Sequence, residues 1–457
     1  MAWDRSYFWN YARVPAGDVI NHSHLGTHSE THSVELRTLS SQLTKTVPLH
    51  EAVTPPKSIL SACFLHITTM GSIEQAPISD EIPTGGNLKI SSSWLGPGPA
   101  AFDFRTDTIT TPTLSMLQAI AQSSLMDDVY KEDTTTTEFE KFMADLTGKE
   151  DAVLVMSGTM GNQIALRSHL TQPPHAVLSH HRSHILNSEA GGCSVLSQAH
   201  MQASYPANGL YLTLEDIKRD ALITTNIHCA PTRVISLENT LAGTITPLAE
   251  IQRISAFARE NGIKMHLDGA RIWEAVAAGV GSLREFLDCF DTAQMCFSKG
   301  LAAPIGSIIV GPRKTLDHCR WTRKMIGGGI RQAGVISAAA RVAVEENFGK
   351  GPNGEGGKLR GTHEKAKIIE QMWTSRGGQV SRPVQTNMVV LDLPFSGIET
   401  AELISVGKEE GLKLMGGRIV VHCQIVDEAI IRLGKVMDRV LAKTFVAVVK
   451  DEQSDYR

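Results

Sequence analysis

The sequence lacks the features of several large protein classes. Its 7 cysteines among 457 residues include no C-x-x-C pair, so we expect neither a disulfide framework nor a thiolate metal site. No apolar run approaches the ~20 residues that cross a bilayer. The 44 basic and 48 acidic residues leave a net charge of -4, without the positive excess that attracts nucleic acid. We therefore expect no membrane partner and no nucleic-acid partner.

The N-terminus also lacks the apolar core of a signal peptide. Its first twenty residues instead mix acids and bases, including Asp4, Arg5, Arg13 and Asp18. Together with the cysteine pattern, this predicts a reducing, cytoplasmic location. A mitochondrial presequence remains the alternative, although such segments are poor in acids.

Residues 1–100 differ in composition from the remainder. They are rich in Ser, Thr, His and Pro, which predicts a disordered extension outside the catalytic fold. Beyond them, short apolar runs alternate with amphipathic segments, which predicts an α/β fold with a mostly parallel central sheet. A glycine-rich break at 349–361 then separates a predicted large domain, 101–345, from a smaller C-terminal α+β domain, 346–457.

The predicted elements are short and regularly spaced. In the large domain, strands are predicted at 152–156, 176–178, 233–237, 264–267, 292–297 and 307–310. Between them lie helical patterns such as 161–169, 250–261 and 282–289. In the small domain, strands are predicted at 388–393 and 418–422, and helices at 400–410 and 427–443.

A turn between a strand and a helix is the first candidate site. Ser157, Gly158 and Thr159 begin the segment SGTMGN, which follows the apolar run 152–156. Backbone N–H groups and the positive end of the helix dipole suit a phosphate at such a turn. A helix capped by Ser or Thr, without any ligand, is the alternative.

An acid and a lysine follow two later strands. Asp268 ends the run 264–267 and Lys299 follows the run 292–297, at the sheet edge where parallel strands bind ligands. A carboxylate can keep a pyridine nitrogen protonated, and a lysine amine can attack an aldehyde. Singly, Asp268 could cap a helix and Lys299 could extend to solvent. Their joint occurrence with the phosphate turn favours a site for pyridoxal 5'-phosphate (PLP).

Two further segments attract attention. Arg331 follows Gly327-Gly328-Gly329, and its guanidinium suits phosphate or carboxylate oxygens beside a close backbone approach. A glycine hinge with a surface arginine is the alternative. The tract His180-His181-Arg182-Ser183-His184 invites a zinc site, but no nearby cysteine or carboxylate completes a ligand set. We therefore expect no metal.

The motifs beyond Asp103 together resemble the L-threonine aldolases of PLP fold type I, of the low-specificity or L-allo-threonine type. They follow the order and spacing of that family: DFRTDT from Asp103, DDVY from Asp127, SGTMGN from Ser157, SHI from Ser183, ENT from Glu238, DGARIW from Asp268, SKGL from Ser298, GGGIRQAG from Gly327 and RIVVH from Arg418. Only the first hundred residues are unmatched. The resemblance implies an aldehyde-lyase that converts L-threonine or L-allo-threonine to glycine and an aldehyde.

The resemblance also implies cofactor roles for individual residues. Lys299 would form the Schiff base with PLP, and Asp268 would pair with the pyridinium nitrogen. The turn at 157–159 would hold the phosphate, and His184 would stack on the ring. Arg331 would reach the phosphate across a subunit interface, because family members are homo-oligomers, tetramers or dimers.

Substrate roles follow in the same way. Arg271 and Arg418 would bind the carboxylate of a small amino-acid substrate with help from Thr106. His184 or His228 would take the proton of the β-hydroxyl, although His228 also fits a packed loop residue. If the Cα–H bond is broken instead of Cα–Cβ, the outcome is an alanine racemase or amino-acid epimerase, a role found among fungal members of the family.

Four positions depart from the family pattern. Lys131 stands where the family has glycine, Leu241-Ala242 where it has His-Asn, and Thr106 where it has serine. Lys131 is expected near the substrate pocket, and each departure bears on which substrate fits or which bond is broken.

Overall fold

A computed structural model describes residues 98–454 of the chain, and the side chains of these residues as far as 442. The predicted extension, apart from its last three residues, lies outside the described residues. No helix within the described part is long and apolar enough to span a bilayer.

A seven-stranded sheet forms the centre of the described structure, in the order β1-β7-β6-β5-β4-β2-β3. The strands are β1 Asp151–Val155, β2 Ala176–His180, β3 His200–Ser204, β4 Thr232–Glu238, β5 Lys264–Asp268, β6 Thr292–Cys296 and β7 Ser307–Gly311. The β2–β3, β2–β4, β4–β5 and β5–β6 pairs are parallel, whereas β7 runs antiparallel to β1 and β6. The prediction of a mostly parallel α/β sheet is therefore confirmed.

Helices cover the sheet, so its central strands are buried on both faces. In chain order they are α1 Leu114–Ala121, α2 Thr134–Thr147, α3 Gly158–His169, α4 His184–Asn187, α5 Gly192–Leu196, α6 Leu214–Asp220, α7 Leu248–Glu260, α8 Ile272–Ala277, α9 Leu283–Asp288, α10 Arg313–Met325, α11 Gly334–Ala343, α12 Leu359–Thr374, α13 Thr400–Glu409 and α14 Asp427–Ser454. Two 3-10 turns, Asp107–Ile109 and Asp128–Tyr130, precede the sheet, and a π-helical turn, Val344–Phe348, follows α11.

Buried apolar side chains form two large clusters. One lies between the sheet and its helices and includes Phe139, Phe286 and Phe297. The other surrounds Trp373 under a two-stranded antiparallel sheet, β8 Met388–Val390 with β9 Arg418–Val420. The second cluster also takes in Phe104 from the start of the described chain. The domain boundary at 345/346 stays a prediction, since the first cluster also includes Phe348 and Leu359.

The predicted elements match observed ones to within three residues at each end, except α14, which extends to Ser454. The structure adds several helices, among them α1, α2, α10, α11 and α12, and one strand, β3. Its five residues HMQAS contain only one buried side chain, Ser204, because β3 lies at the edge of the sheet. An edge strand needs no continuous apolar run, so its sequence carries no clear strand signal.

Candidate active site

A cavity of about 190 Å³ lies where β1, β5 and β6 end and α3 begins. Most of the residues that line it carry a polar side chain, and together they are Ser157, Gly158, Thr159, Asn162, His184, Asp268, Ala270, Gln294, Cys296, Ser298 and Lys299. The phosphate turn, the acid, the lysine and the ring-stacking histidine predicted from the sequence therefore share one site.

The turn into α3 is shaped to accept an anion. Ser157 caps the helix, with its hydroxyl accepting a hydrogen bond from the Met160 N–H at 3.2 Å. The first N–H groups of an α-helix have no acceptor within the helix, so they are available to a ligand. A Cβ at Gly158 would lie 2.7 Å from the Cys296 Sγ, which explains why this position has no side chain.

Asp268 ends β5 as a fully hydrogen-bonded carboxylate. Its Oδ1 accepts from the Gln294 Nε2 at 2.9 Å and from the Ala270 N–H at 3.1 Å, and its Oδ2 accepts from the Asn162 Nδ2 at 2.9 Å. Burial alone would raise its pKa, but the charge of Lys299 and these hydrogen bonds bring the pKa below its ordinary value. The side chain is therefore an anion at neutral pH, as a partner of a protonated ring nitrogen must be.

Lys299 lies three residues beyond the end of β6, in a tight turn. Its backbone carbonyl accepts from the Thr110 hydroxyl at 3.1 Å and from the Ala302 N–H at 2.8 Å. The next residue must be small, because a Cβ at Gly300 would lie 2.5 Å from the Glu274 Oε1. The turn thus holds the lysine backbone in place while the amine faces the same cavity as Asp268.

These features fit the three functional parts of PLP. The start of α3 suits the phosphate, the Asp268 carboxylate suits the ring nitrogen, and the Lys299 amine suits the aldehyde. The structural observation that favours a ligand here is that the start of α3, the Asp268 carboxylate and Lys299 line one cavity.

Two acids, Glu189 and Glu238, lie next to His184. The His184 Nδ1 lies 2.8 Å from the Glu189 Oε1, and this hydrogen bond is the main reason why the pKa of His184 is above the usual histidine value. Its backbone N–H donates to the Glu238 Oε2 at 2.8 Å. Burial and the neighbouring Asp268 charge raise the pKa of Glu238 to about 8, so this carboxyl retains a proton near neutrality.

The predicted substrate-binding arginines lie near each other, although neither is among the residues that line the cavity. Arg271 forms a two-pronged ion pair with the buried Asp107, with Nε–Oδ2 and Nη2–Oδ1 distances of 2.7 and 2.5 Å. Burial and the charge of Arg271 lower the pKa of Arg418. Thr106, the third predicted member, caps the 3-10 turn that carries Asp107. Two N–H groups of Arg271 thus donate to Asp107, whereas Arg418 has no carboxylate partner within the described residues.

Two more predicted site residues do not line the cavity. His228 is exposed in the loop before β4, where its backbone N–H donates to the Asn226 side chain at 3.0 Å. Arg331 is exposed as well, and its carbonyl accepts from the Asp128 N–H at 2.8 Å. Their roles as proton acceptor and interface residue stay predictions.

Two of the residues that depart from the family pattern, Lys131 and Ala242, have left-handed backbone conformations. Lys131 has a left-handed backbone (φ 62°), and its Nζ lies 3.1 Å from the Glu140 Oε2, in a charged surface depression rather than the cavity. Leu241 is buried and pairs with Thr244, while Ala242 is also left-handed (φ 50°). Lysine and alanine thus occupy backbone conformations that favour glycine and asparagine.

The charged depression that Lys131 lines is larger than the cavity, at about 630 Å³. Its charges are largely satisfied within the chain, because Arg320 pairs with Asp151 and Glu140. We place the active site in the smaller cavity, since the lysine and the buried acid lie there.

Sequence patterns alone missed the supporting polar residues. Gln294 is a buried polar residue in a strand that is otherwise largely apolar, and this break in the apolar pattern could have identified it from the sequence. Asn162 lies within SGTMGN, one turn after Gly158, and therefore on the same face of α3. Glu189 and Asp107 gave no signal beyond their places near recognised motifs.

Comparisons with known proteins agree with this geometry. The Beta-eliminating lyase family matches residues 103–395. The aldolase vrtJ of Penicillium aethiopicum is 49% identical, over 82% of this chain and 96% of that protein. The alanine racemase TOXG of Cochliobolus carbonum is 44% identical, over 73% and 86%. A low-specificity L-threonine aldolase of Eremothecium gossypii is 43% identical, over 72% and 85%.

A solved structure supports the fold. The threonine aldolase of Leishmania major superimposes with a TM-score of 0.64, over 74% of this chain and 99% of that one, at 19% identity. At that identity the likeness concerns the fold alone. Since the family match spans well over half of the sequence and the three relatives exceed 40% identity, this chain belongs to the Beta-eliminating lyase family, with L-threonine aldolases among its relatives.

Proposed function

We propose that this chain is a PLP-dependent aldehyde-lyase that cleaves L-threonine, L-allo-threonine and related β-hydroxy-α-amino acids to glycine and an aldehyde. The observation that carries the proposal is the single cavity lined by the Lys299 amine, the ionised Asp268 and the first turn of α3. The aldolase and threonine aldolase relatives support the choice of reaction.

Each cofactor-binding group would hold a different part of PLP. When bound, PLP supplies an aldehyde for a covalent bond to an amine and a protonated ring that accepts electrons from the substrate. The N–H groups of the turn at 157–159 would hold the phosphate, and Asp268 would keep the ring nitrogen protonated. Lys299 would hold the aldehyde carbon until the substrate amine replaces it.

The substrate residues decide which bond is broken. The Arg418 fork, supported by the Arg271–Asp107 pair, would bind the substrate carboxylate and so orient the groups on Cα. With the Cα–Cβ bond aligned, His184 would accept the proton of the β-hydroxyl. The carbonyl of the aldehyde then forms as the Cα–Cβ bond breaks, and the electron pair remains on the glycine carbon, which later takes up a proton.

The same residues support a second candidate, an alanine racemase. The observation in its favour is the 44% identity to a protein of that activity. In that reaction the Cα–H bond is broken and re-formed on the opposite face, with Lys299 serving one face. Alanine has no β-hydroxyl, so the racemase needs no base at that position.

Assembly and location belong to the same proposal. The exposed Arg331 fits a homotetramer or homodimer in which it reaches the phosphate of a neighbouring subunit. The small-molecule amino acid remains the substrate partner, and the predicted cytoplasmic location stays a prediction.

One assay tests the proposed reaction. Purified full-length protein with PLP is incubated with L-threonine, L-allo-threonine and L-alanine, and aldehyde, glycine and D-alanine are measured. We expect equal amounts of aldehyde and glycine and a visible absorbance band of the bound cofactor. Lys299→Ala should abolish both the band of the lysine-linked cofactor and turnover. D-alanine without aldehyde would reject the lyase and favour the racemase.

A further inference from the structure

Glu189 is a buried carboxylate next to His184 for which neither the sequence motifs nor the proposed reaction provides a role. Its side chain is wholly inaccessible, whereas that of His184 is 42% exposed toward the cavity. Glu189 Oε1 accepts from the Asn162 Nδ2 at 2.8 Å, and its Oε2 accepts from the Gln163 Nε2 at 2.6 Å. With His184 Nδ1 as third partner, every contact of this carboxylate is a donor.

This arrangement determines which nitrogen of His184 carries the proton. A carboxylate can only accept, so the nitrogen that faces Glu189, Nδ1, must be the protonated one. The lone pair of the neutral ring is then on Nε2, at the opposite edge of the imidazole. Since His184 lines the cavity and Nδ1 is directed at the buried acid, Nε2 is the nitrogen available to a ligand.

Asn162 connects this pair to the cofactor acid. Its Nδ2 donates to both Glu189 Oε1 and Asp268 Oδ2, while its Oδ1 lies 3.1 Å from the His266 Nε2, which sets the orientation of the amide. The polar atoms of His184, Glu189 and Asp268 consequently lie within 4.8 Å of one another. One amide thus positions both the proton acceptor and the ring-nitrogen partner.

The charged groups around the His184 ring favour its protonated form. Glu189 faces it from the loop after α4, Asp268 from the end of β5 and Glu238 from the end of β4. The helices α3 and α5 contribute Gln163 and Cys193, and Gln163 bonds to both Glu189 and the Cys193 Sγ. Glu189 makes the only direct side-chain bond to the ring among the described residues.

We infer that Glu189 is a positioning residue that fixes the proton of His184 on Nδ1 and so presents Nε2 to the β-hydroxyl of the substrate. The inference deepens the proposed function and rests on it for the identity of the accepted proton. In the step, the hydroxyl proton passes to Nε2 and the imidazolium that forms is stabilised by the Glu189 carboxylate. A charged partner of this kind acts on both the strength and the orientation of the base.

The test replaces the carboxylate with a neutral amide, Glu189→Gln. Diethyl pyrocarbonate acylates only neutral imidazole, so the pH dependence of its reaction at His184, followed by peptide mass spectrometry on the full chain without cofactor, reports the titration of this side chain. We expect the midpoint in Glu189→Gln to fall by roughly one pH unit. In the PLP-loaded enzyme, kcat/KM should decrease about 10- to 100-fold and the acid limb of its pH profile should move to lower pH.

Two further variants keep the test decisive. Glu189→Asp retains the charge at a longer distance, so its midpoint should lie between those of the wild type and Glu189→Gln, and it remains informative if the amide variant does not fold. The matched control is Glu274→Gln, because Glu274 pairs with His363 at 2.7 Å in the other His–Glu ion pair of the described chain. That control should leave the His184 midpoint unchanged.

The outcomes separate this inference from the proposed function. An unchanged His184 midpoint in Glu189→Gln, with aldehyde release by the wild type, would overturn the role of Glu189 and leave the lyase standing. A lowered midpoint in a protein that releases no aldehyde would support the pairing of Glu189 with His184 and overturn the lyase.

Discussion

Two parts of the candidate site are built differently. The cofactor wall, formed by the turn at 157–159, Asn162, Asp268, Gln294 and Lys299, comes from consecutive strand ends and one helix, and its buried polar groups have partners in the chain. The proposed substrate rim, formed by Thr106, Asp107, Arg271 and Arg418, comes from three segments spread along the chain, the first and last of which are about 310 residues apart. Sheet register holds the wall, whereas packing between distant segments holds the rim.

The difference explains how one scaffold serves relatives named for different reactions. The wall depends on β5 and β6 meeting in register, which pairs Asp268 with Gln294. The rim can change its substrate contacts while the wall stays intact. Aldolase and racemase relatives with 49% and 44% identity to this chain are consistent with such a division.

The largest effect is expected from breaking the wall. Asp268→Asn keeps the shape of the side chain but removes the charge that would hold the ring nitrogen protonated. We expect kcat to fall on the order of 10³-fold, about 4 kcal/mol, with little change in the KM of the amino acid. Steady-state kinetics at saturating PLP checks this, with Arg418→Lys as the rim counterpart. A loss below about tenfold would show that the wall does not depend on this charge.

The rim variant should behave in the opposite manner. Arg418→Lys preserves the positive charge but loses the planar fork that binds a carboxylate through two bonds. We expect KM for the amino acid to rise about 10- to 100-fold, with kcat changing less. If kcat falls while KM stays constant, Arg418 acts on the reacting bond and the division between wall and rim fails.

Glu238 offers a test at the junction between wall and rim. Its pKa of about 8, raised from 4.5 by burial and by Asp268, means that the folded protein keeps a proton that the unfolded chain releases. The resulting stabilisation is full below pH 4.5 and is lost as the pH rises through 8. Glu238→Gln removes this dependence, because an amide does not titrate.

We therefore expect wild-type stability, relative to Glu238→Gln, to fall by about 1–2 kcal/mol between pH 5 and pH 8, a value reduced for partial solvent contact. Urea unfolding of the cofactor-free protein at three pH values measures this difference. A difference that stays constant across the range would place the Glu238 titration at its ordinary value.

The smallest effect is expected outside both wall and rim. Lys131→Gly relieves a left-handed backbone but loses the Glu140 ion pair and gives the unfolded chain more freedom. These opposing terms should leave stability within about 1 kcal/mol of the wild type. Because the lysine side chain is directed at Glu140, kcat/KM should stay within about twofold in the same assay. A larger kinetic change would show that residue 131 reaches the substrate rim.

The sequence predicted most of the fold because the central strands are buried on both faces. Runs such as 292–297 are apolar for that reason and predict β6 to within one residue. The edge strand β3 escaped detection because a strand at the edge needs little apolar surface. The same contrast holds in the site. Asp268 and Lys299 lie at or just beyond strand ends, where the pattern of apolar runs predicts them. Glu189 lies in a loop, and its partners depend on how that loop packs against the rest of the chain.

The sequence by itself determined the α/β order, the phosphate turn and the candidate acid and lysine, because these follow from local periodicity and from residue types at strand ends. Tertiary structure alone decided which polar groups satisfy one another: Asn162 between two carboxylates, Arg271 on Asp107, and His184 on Glu189. Hydrogen bonds in a buried site depend on distances of a few ångströms between segments far apart in the chain. Such distances arise only when the sheet and its helices pack.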